Sequence, residues 1–181
     1  MLAAYCEAHL KLHGEQATAG YEIALATRDD IPGILEIQEQ NLSERGGALS
    51  VRLSAQWFEA VLERMPVVVA RRAGQVVGYV ASAPLDIMAN VPIVAAMLHA
   101  YQGLMDPYLY GPICVAESER GRGLAVALFA ALRERLPGRE GIAFIRRDNA
   151  ASRRAHAKMG MREVAEYEHD QIPLVVVAYL G

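Results

Sequence analysis

The fold is decided by the stretch YLYGPICVAESERGRGLAVALFAALRERL at residues 108–136. Its first part is almost entirely apolar, which predicts a buried strand over 108–116. Apolar residues then recur at helical spacing from Leu124, so we expect a helix over 124–136 that ends before Pro137. The stretch therefore predicts a strand, a loop and a helix in succession.

The loop between this strand and this helix is predicted to bind an anion. Free backbone N–H groups and the helix dipole attract negative charge to the start of a helix. Glycines let a phosphate approach the main chain, and arginines supply charge for it. The same composition also fits a turn that merely links two elements, so the loop alone leaves both interpretations open. The candidate binding residues are Arg120, Gly121, Arg122, Gly123, Leu124 and Ala125.

Two common phosphate-binding motifs do not match this loop. A Walker A loop needs Lys followed by Ser or Thr at the helix start, where this chain has Leu124 and Ala125. A dinucleotide fingerprint needs Gly or Ala where Val126 stands, although Asp148 imitates its acidic residue. Too few residues follow Asp148 for the second half of a doubly wound sheet.

On both sides of this stretch, the chain contains strand and helix patterns in alternation. This order predicts an α/β (α+β) fold with a mixed sheet. Residues 1–20 combine a short helical pattern with a polar linker, so we expect an N-terminal extension followed by one domain over 21–181. The predicted elements are a strand at 21–26, a helix from Asp29 or Asp30, a helix from Ser54 to Pro66, a hairpin of 66–72 and 75–83 turning at Ala73 and Gly74, a helix over 91–105 opening at Pro92, a strand at 141–147, a helix from Asn149 to Gly160, and strands at 161–170 and 171–180.

Composition limits the class of protein. The chain has 181 residues, 53% of them hydrophobic, and a formal net charge of -3, which is typical of one folded domain. This balance argues against a nucleic-acid partner, because no strongly basic face is expected. The longest strongly apolar stretch, 91–98, is far shorter than the roughly 20 residues that span a bilayer, so we expect no membrane partner. The apolar end strands are expected to form core or the contact of a homodimer.

The cysteines and histidines indicate neither disulfides nor a metal site. Cys6 and Cys114 lie far apart and match no ligand or redox spacing, which predicts free thiols. The five histidines are scattered, so we expect no metal. Glu7 and His9 stand where a secretory signal would be apolar. We therefore expect a cytoplasmic protein.

Two motifs resemble one family. RGRGLA at 120–125 resembles the Arg/Gln-x-x-Gly-x-Gly/Ala motif of the GCN5-related N-acetyltransferase (GNAT) superfamily. NAASRRAHAKMGM at 149–161 resembles that family's Asn-x-x-Ser, aromatic or His, Lys-x-Gly-Phe segment. The resemblance covers 21–180 in element order. It implies a mixed, mostly antiparallel twisted sheet with helices on both faces.

The resemblance also implies how acetyl-CoA is bound. In the family the fourth and fifth strands splay apart, and main-chain amides of the fourth strand hold the pantetheine arm and the thioester oxygen. Here these amides would belong to Ile113, Cys114 and Val115. Asn149 and Ser152 are candidates for coenzyme contact, although a capping role explains both equally well.

The chain departs from the family at the position of the proton donor. Many members carry Tyr where this chain has His156, and that Tyr is thought to protonate the departing thiolate. The His form resembles phosphinothricin acetyltransferase-like members, but Ala157 replaces their Glu. The ordinary pKa of histidine, near 6.5, makes His156 suitable for proton transfer. The alternative is that His156 has only a local structural role.

The general base is not fixed by the sequence. Tyr110 lies on the candidate fourth strand, near the place where the family often has a base or a residue that holds water. Other candidates remain open, namely Glu36, His99, Asp106 and Tyr108.

The resemblance thus predicts an acyltransferase that moves acetyl from acetyl-CoA to an amine by direct transfer in a ternary complex. The acceptor is expected to be a small molecule or an amino terminus, in a pocket walled by 42–54 and 84–107. The alternative is a non-catalytic acyl-CoA sensor or interaction module on the same fold.

Overall fold

The computed structural model describes residues 20–45, 47, 49 and 51–181. The predicted extension and Cys6 lie outside these residues, apart from Gly20. The division into an extension and a single domain therefore stays a prediction, as does the homodimer.

In the described residues seven strands form one mixed sheet, in the spatial order β1-β2-β3-β4-β5-β7-β6. Only β4 and β5 run parallel, and the other neighbours are antiparallel. This confirms the predicted mixed, mostly antiparallel sheet. The strands are β1 Glu22–Leu25, β2 Val68–Arg72, β3 Gln75–Ala83, β4 Tyr108–Val115, β5 Glu140–Arg146, β6 Arg162–His169 and β7 Ile172–Leu180.

Five α-helices among the described residues surround this sheet. The predicted order of elements is confirmed, whereas several predicted helix ends are wrong. The third and fourth helices stop short of 105 and 136, because the chain turns before the patterns end. The helices are α1 Ile31–Asn41, α2 Ala55–Leu62, α3 Pro92–Ala100, α4 Leu124–Arg133 and α5 Ala150–Lys158. None of them is long and apolar enough to cross a membrane.

The starts of α1 and α2 are set by local hydrogen bonds. The helix α2 begins beside Ser54 as predicted, and Ser54 caps it, because its hydroxyl accepts from the Trp57 N–H at 3.1 Å. Asp30 directly precedes α1, which agrees with the predicted helix from Asp29 or Asp30, but its side chain does not cap this helix. The Asp30 carboxylate instead accepts the Thr27 N–H at 2.7 Å and turns inward. It therefore stabilises the 3-10 turn over Arg28–Asp30 that leads into α1.

The hairpin of β2 and β3 turns where the sequence predicts. Ala73 and Gly74 have φ values of 51° and 77°, the left-handed pair that a two-residue hairpin turn needs. On β3, Gly78 leaves room for α4, because a Cβ there would lie 3.2 Å from Leu128 Cδ1. Leu124 and Leu128 are fully buried at this contact. Close packing of α4 on β3 thus fixes where the loop before α4 lies.

The two parallel strands separate soon after they meet. Tyr108 pairs with Gly141 and Leu109 with Ile142, and the pairing stops there. Along its whole length β5 pairs with β7 instead. The rest of β4 keeps β3 as its neighbour on one edge and faces a gap on the other. The expected divergence of the fourth and fifth strands is confirmed.

Candidate active site

The gap between β4 and β5 opens into a cleft of about 220 Å³. Its floor is formed by the diverging strands, and its walls come from the end of α1, the segment 49–53, α2, α3 and the first turns of α5. A cleft where two parallel strands separate exposes main-chain groups that a sheet would otherwise pair.

Main-chain groups of β4 face this cleft alternately. The Ala116 N–H donates to the Val77 carbonyl of β3 at 2.9 Å, so Cys114, two residues earlier, also points its N–H toward β3. Ile113 and Val115 have the opposite orientation and point toward the gap. In agreement, the Val115 carbonyl accepts from Asn41 Nδ2 at 3.3 Å, outside the β3 ladder. Of the three predicted amides, two therefore point toward the gap, and of these two residues Ile113 lines the cleft.

Cys114 itself also lines the cleft. It is buried, and burial raises the pKa of its thiol to about 11. The thiol therefore stays protonated at neutral pH, and Cys114 is a free cysteine in the described part of the chain.

The loop before α4 has the backbone that an anion site requires. Gly121 and Gly123 have φ values of 77° and 80°, and Gly123 is the N-cap residue of α4. A Cβ at Gly121 would meet nothing within 4 Å, so the space above the loop is open. The Leu124 side chain is buried and the Ala125 side chain half-buried, so both pack against the protein.

The two arginines of the loop make contacts within the protein. Arg120 donates from Nη2 to Asn41 Oδ1 at 3.1 Å and from Nε to the Val115 carbonyl at 3.4 Å. It thereby ties the loop to the end of β4. Arg122 is exposed and lies 3.7 Å from Glu119.

Glu119 holds the loop before α4 in place, although no sequence motif indicated this residue. Its carboxylate accepts from the Tyr21 hydroxyl at 2.5 Å and from Arg72 Nη1 at 2.8 Å. These partners come from the residue before β1 and from β2, so no local pattern could have revealed them. Asn41, which bridges Arg120 and Val115, was missed for the same reason.

Asn149 and Ser152 lie together at the start of α5 and line the cleft. The Asn149 side chain accepts the Ser152 N–H at 3.0 Å, which confirms the predicted helix cap. The cap aims the first turn of α5 at the gap between the strands.

His156 lies one turn further along α5, is 7% exposed and lines the cleft. Its Nδ1 lies 2.8 Å from the Ser152 carbonyl oxygen. Since a carbonyl only accepts, Nδ1 must carry a proton, and Nε2 keeps its lone pair in the neutral ring. Within the described part of the chain Nε2 has no hydrogen-bond partner. Burial lowers the pKa of His156, and the bond to Ser152 only partly opposes this shift.

Tyr110 also lines the cleft, with its ring edge-on to His156 at a centroid distance of 5.7 Å. Its hydroxyl reaches only the Met159 sulfur, at 4.0 Å. Burial raises the pKa of Tyr110 far above its ordinary value, so the phenol keeps its proton. This geometry disfavours Tyr110 as a base and makes it a wall of the cleft. The other candidates, Glu36, His99, Asp106 and Tyr108, do not line the cleft.

The wall away from the loop is apolar. It comes from the segments 42–54 and 84–107, which the sequence analysis assigned to the acceptor pocket, and from α2. Its side chains are Leu49, Val51, Leu53, Trp57, Met88, Val94 and Met97. Among the described residues no cluster of His, Cys, Asp or Glu could hold a metal ion.

The comparisons with known proteins agree with this geometry. The model of the acetyltransferase (GNAT) family matches residues 31–161, which is most of the chain and includes both sequence motifs. The chain belongs to the GNAT family. None of the curated protein sequences compared with it matches significantly.

Solved GNAT structures share the fold. A ribosomal-protein-alanine N-acetyltransferase from Brucella melitensis is 27% identical, with a TM-score of 0.65 over 88% of this chain and 99% of the other. The yncA protein of Salmonella typhimurium, solved with its cofactor acetyl-CoA, is 21% identical, with a TM-score of 0.65 over 88% and 93% of the two chains. The ribosomal-protein-S18-alanine N-acetyltransferase of Escherichia coli is 16% identical, with a TM-score of 0.61 over 87% and 92%.

Within this GNAT chain His156 is the point of departure from the commoner Tyr. Its similarity to phosphinothricin acetyltransferase-like members stays a prediction. In the structure the His156 ring is buried and hydrogen-bonded through Nδ1, and burial favours its neutral form by lowering its pKa.

Proposed function

We propose that this GNAT protein is an N-acetyltransferase that transfers acetyl from acetyl-CoA directly to a primary amine in a ternary complex. The observation that carries the proposal is the divergence of β4 and β5 beside His156. Ile113, whose main-chain N–H points away from β3, and His156 line the same cleft, which supports a site that polarises a carbonyl beside a proton-accepting nitrogen.

The chain's own groups fit the coenzyme. Open space above Gly121 and the start of α4 suit a pyrophosphate, because backbone N–H groups there favour negative charge. Arg122 is exposed beside this site and can add a charged contact. The outward amides of Ile113 and Val115 suit the polar groups of an extended pantetheine arm. Leu124, Ala125, Asn149 and Ser152 complete the site through the turns that they form.

When bound, acetyl-CoA supplies an acetyl thioester with an electrophilic carbonyl carbon. The protein polarises that carbonyl through a β4 N–H aimed into the cleft, which stabilises negative charge as it develops on the oxygen. The amine forms a C–N bond at the carbon, and the C–S bond then breaks. The amine loses one proton and the departing thiolate gains one.

His156 is the residue that moves this proton. A cationic imidazole would be required to donate at the outset, but burial lowers the pKa of His156 and keeps the ring neutral. Nε2 therefore first accepts the proton that the amine loses, and the same proton then passes to the sulfur. The Ser152 carbonyl stabilises the transient imidazolium through Nδ1–H. This role includes the protonation of the thiolate that the family resemblance implies.

Two measurements test the proposal. Isothermal titration with acetyl-CoA should show binding, and saturating acetyl-CoA should raise the unfolding temperature. Amines supplied with acetyl-CoA should then release free thiol in proportion to acetylated product. A response to NAD or ATP but not to acetyl-CoA would overturn coenzyme binding. Tight acetyl-CoA binding without turnover of any amine would favour the non-catalytic sensor.

A further inference from the structure

We infer that the acceptor is a small primary amine whose remaining groups are apolar and uncharged. The inference rests on the proposed function and narrows its substrate class. It comes from the wall of the cleft that lies away from the loop before α4.

Charge is the first argument. None of the described cleft-lining residues is Asp or Glu, and Arg146 is the one charged side chain among them. Arg146 is itself exposed and paired with Asp148 at 2.6 Å. A second ammonium group on the acceptor would thus enter without a carboxylate to receive it, which is strongly unfavourable.

The acidic side chains near the wall are already engaged outside it. Asp86 forms a two-point pair with Arg64, at 3.0 Å for each contact. Glu39 pairs with Arg52 at 2.6 Å, and Glu44 lies 3.5 Å from the same guanidinium. These carboxylates face solvent with their arginines. They leave the apolar side of the cleft without negative charge.

Polarity is the second argument. Among the described side chains of this wall only Trp57 carries a polar N–H, and this single donor is buried without a hydrogen-bond partner. The others are hydrocarbon or thioether groups, so the wall cannot pair the successive N–H and C=O groups of a peptide. A peptide acceptor would bury N–H and C=O groups against these methyl and methylene groups, at a cost for each unpaired group. An amine with a hydrocarbon body would instead gain from the same contact.

Size and chemistry agree with this conclusion. The cleft has a volume of about 220 Å³. The acetyl thioester of the coenzyme takes part of this volume, and a cavity of about 150 Å³ is known to hold benzene. The acceptor is therefore no larger than one ring or a short branched chain. An apolar wall also lowers the pKa of an amine by desolvation, which favours the neutral form that attacks.

The test compares two amines of the same length. Pentylamine and 1,4-diaminobutane differ in one end group, a methyl in the first and an ammonium in the second. We expect kcat/KM for pentylamine to exceed that for the diamine by at least about 100-fold, with 2-phenylethylamine at least equal to pentylamine. Binding of both apolar amines to the acetyl-CoA-loaded enzyme should be measurable by titration calorimetry.

A second experiment introduces a negative charge into the wall by substitution. Met88 is half-buried, so Met88→Glu should shift the preference toward the diamine by at least tenfold, whereas Met88→Gln should not. Thermal unfolding checks that both variants fold, and the wild-type comparison carries the inference even where a variant does not.

The outcomes separate this inference from the proposed function. Failure to bind acetyl-CoA would overturn the proposed function. If acetyl-CoA binds normally but the diamine, or a peptide that begins with alanine, is preferred to both apolar amines, only the inferred acceptor class is overturned. The acceptor class is also overturned if neither apolar amine binds to the acetyl-CoA-loaded enzyme.

Discussion

The Nδ1 atom of His156 lies 2.8 Å from the carbonyl oxygen of Ser152, one turn earlier on α5. This contact fixes the tautomer of the ring and leaves Nε2 as the atom that can accept a proton. It also ties the chemistry to the helix cap, since the Ser152 N–H is held by Asn149. Proton transfer and helix start are thus parts of one local structure.

Replacing His156 with Ala should lower kcat by about 10²-fold, because the proton transfer loses its acceptor. The dissociation constant of acetyl-CoA should change by less than about threefold, since the ring's hydrogen bonds are to Ser152 and not to the loop before α4. Steady-state kinetics and calorimetry at pH 7 and above pH 8 give the two quantities. Lys158→Ala, an exposed change on the same helix, is the control. An unchanged kcat at both pH values would remove His156 from the mechanism.

The pKa of His156 in the folded protein should lie below its ordinary value of about 6.5. Because burial disfavours the charged ring, the unfolded chain binds more protons in the window just below 6.5. The contribution of this group to stability is therefore complete above that window and is lost as the pH falls through it. NMR titration of the ring C–H signals measures the pKa, with His156→Gln identifying the resonance. A value above 6.5 would contradict the neutral ring.

Tyr110→Phe should leave kcat within about threefold of the parent. The hydroxyl makes one weak contact, 4.0 Å from the Met159 sulfur, and burial keeps its proton in place. The ring itself packs edge-on against Phe129, His156 and Tyr179, and Phe preserves these contacts. A loss of about 10²-fold would instead identify Tyr110 as the base.

Gly121→Ala should weaken acetyl-CoA binding by about tenfold or more. The new methyl group enters the open space that we assign to the pyrophosphate, and the left-handed backbone at φ 77° resists a side chain. Gly138→Ala is a matched control, because Gly138 has φ 72° and the same open surroundings but lies after α4, away from the loop.

Both glycine variants should lose a similar amount of stability, about 1 kcal/mol, since the backbone strain is the same. Calorimetry then separates a ligand effect from a folding effect. Equal acetyl-CoA affinity in the two variants would argue against the assignment of the loop.

Features that depend on neighbouring residues could be predicted from the sequence. The left-handed turn at Ala73 and Gly74, the Ser54 and Asn149 caps and the glycine loop before α4 all follow from short patterns. The divergence of β4 and β5 was expected only through the family resemblance, because strand pairing is a long-range property.

Contacts between distant segments were not predictable in this way. Asn41 and Val115 are 74 residues apart, and Asp30 and Arg71 are 41 apart. Neither pair leaves a periodic trace, because each depends on how α1 and its preceding turn pack on the sheet. The neutral state of His156 likewise follows from burial, which one residue between two alanines does not reveal.

The Asp30–Arg71 pair yields a prediction about stability rather than chemistry. Arg71 donates from Nε and Nη2 to the two carboxylate oxygens of Asp30 at 2.8 and 2.7 Å, and Asp30 is 6% exposed. Burial alone would raise the pKa of Asp30, but the hydrogen bonds from Arg71 and Thr27 together outweigh it and lower the pKa. The pair therefore stabilises the ionised carboxylate in the folded state.

Asp30→Ala should lower the free energy of unfolding by about 3 kcal/mol at pH 7, because it leaves a largely buried guanidinium without its partner. Glu22→Gln removes the other contact of Arg71, an exposed pair at 2.9 Å, and should cost less than about 1 kcal/mol. Since the folded pKa of Asp30 is lowered, its contribution is present above about pH 4 and is lost as the pH falls further. Urea unfolding at pH 7 and near pH 3 should thus show the gap between wild type and Asp30→Ala shrinking at the lower pH. A gap that stays constant would mean that the carboxylate charge does not stabilise this turn.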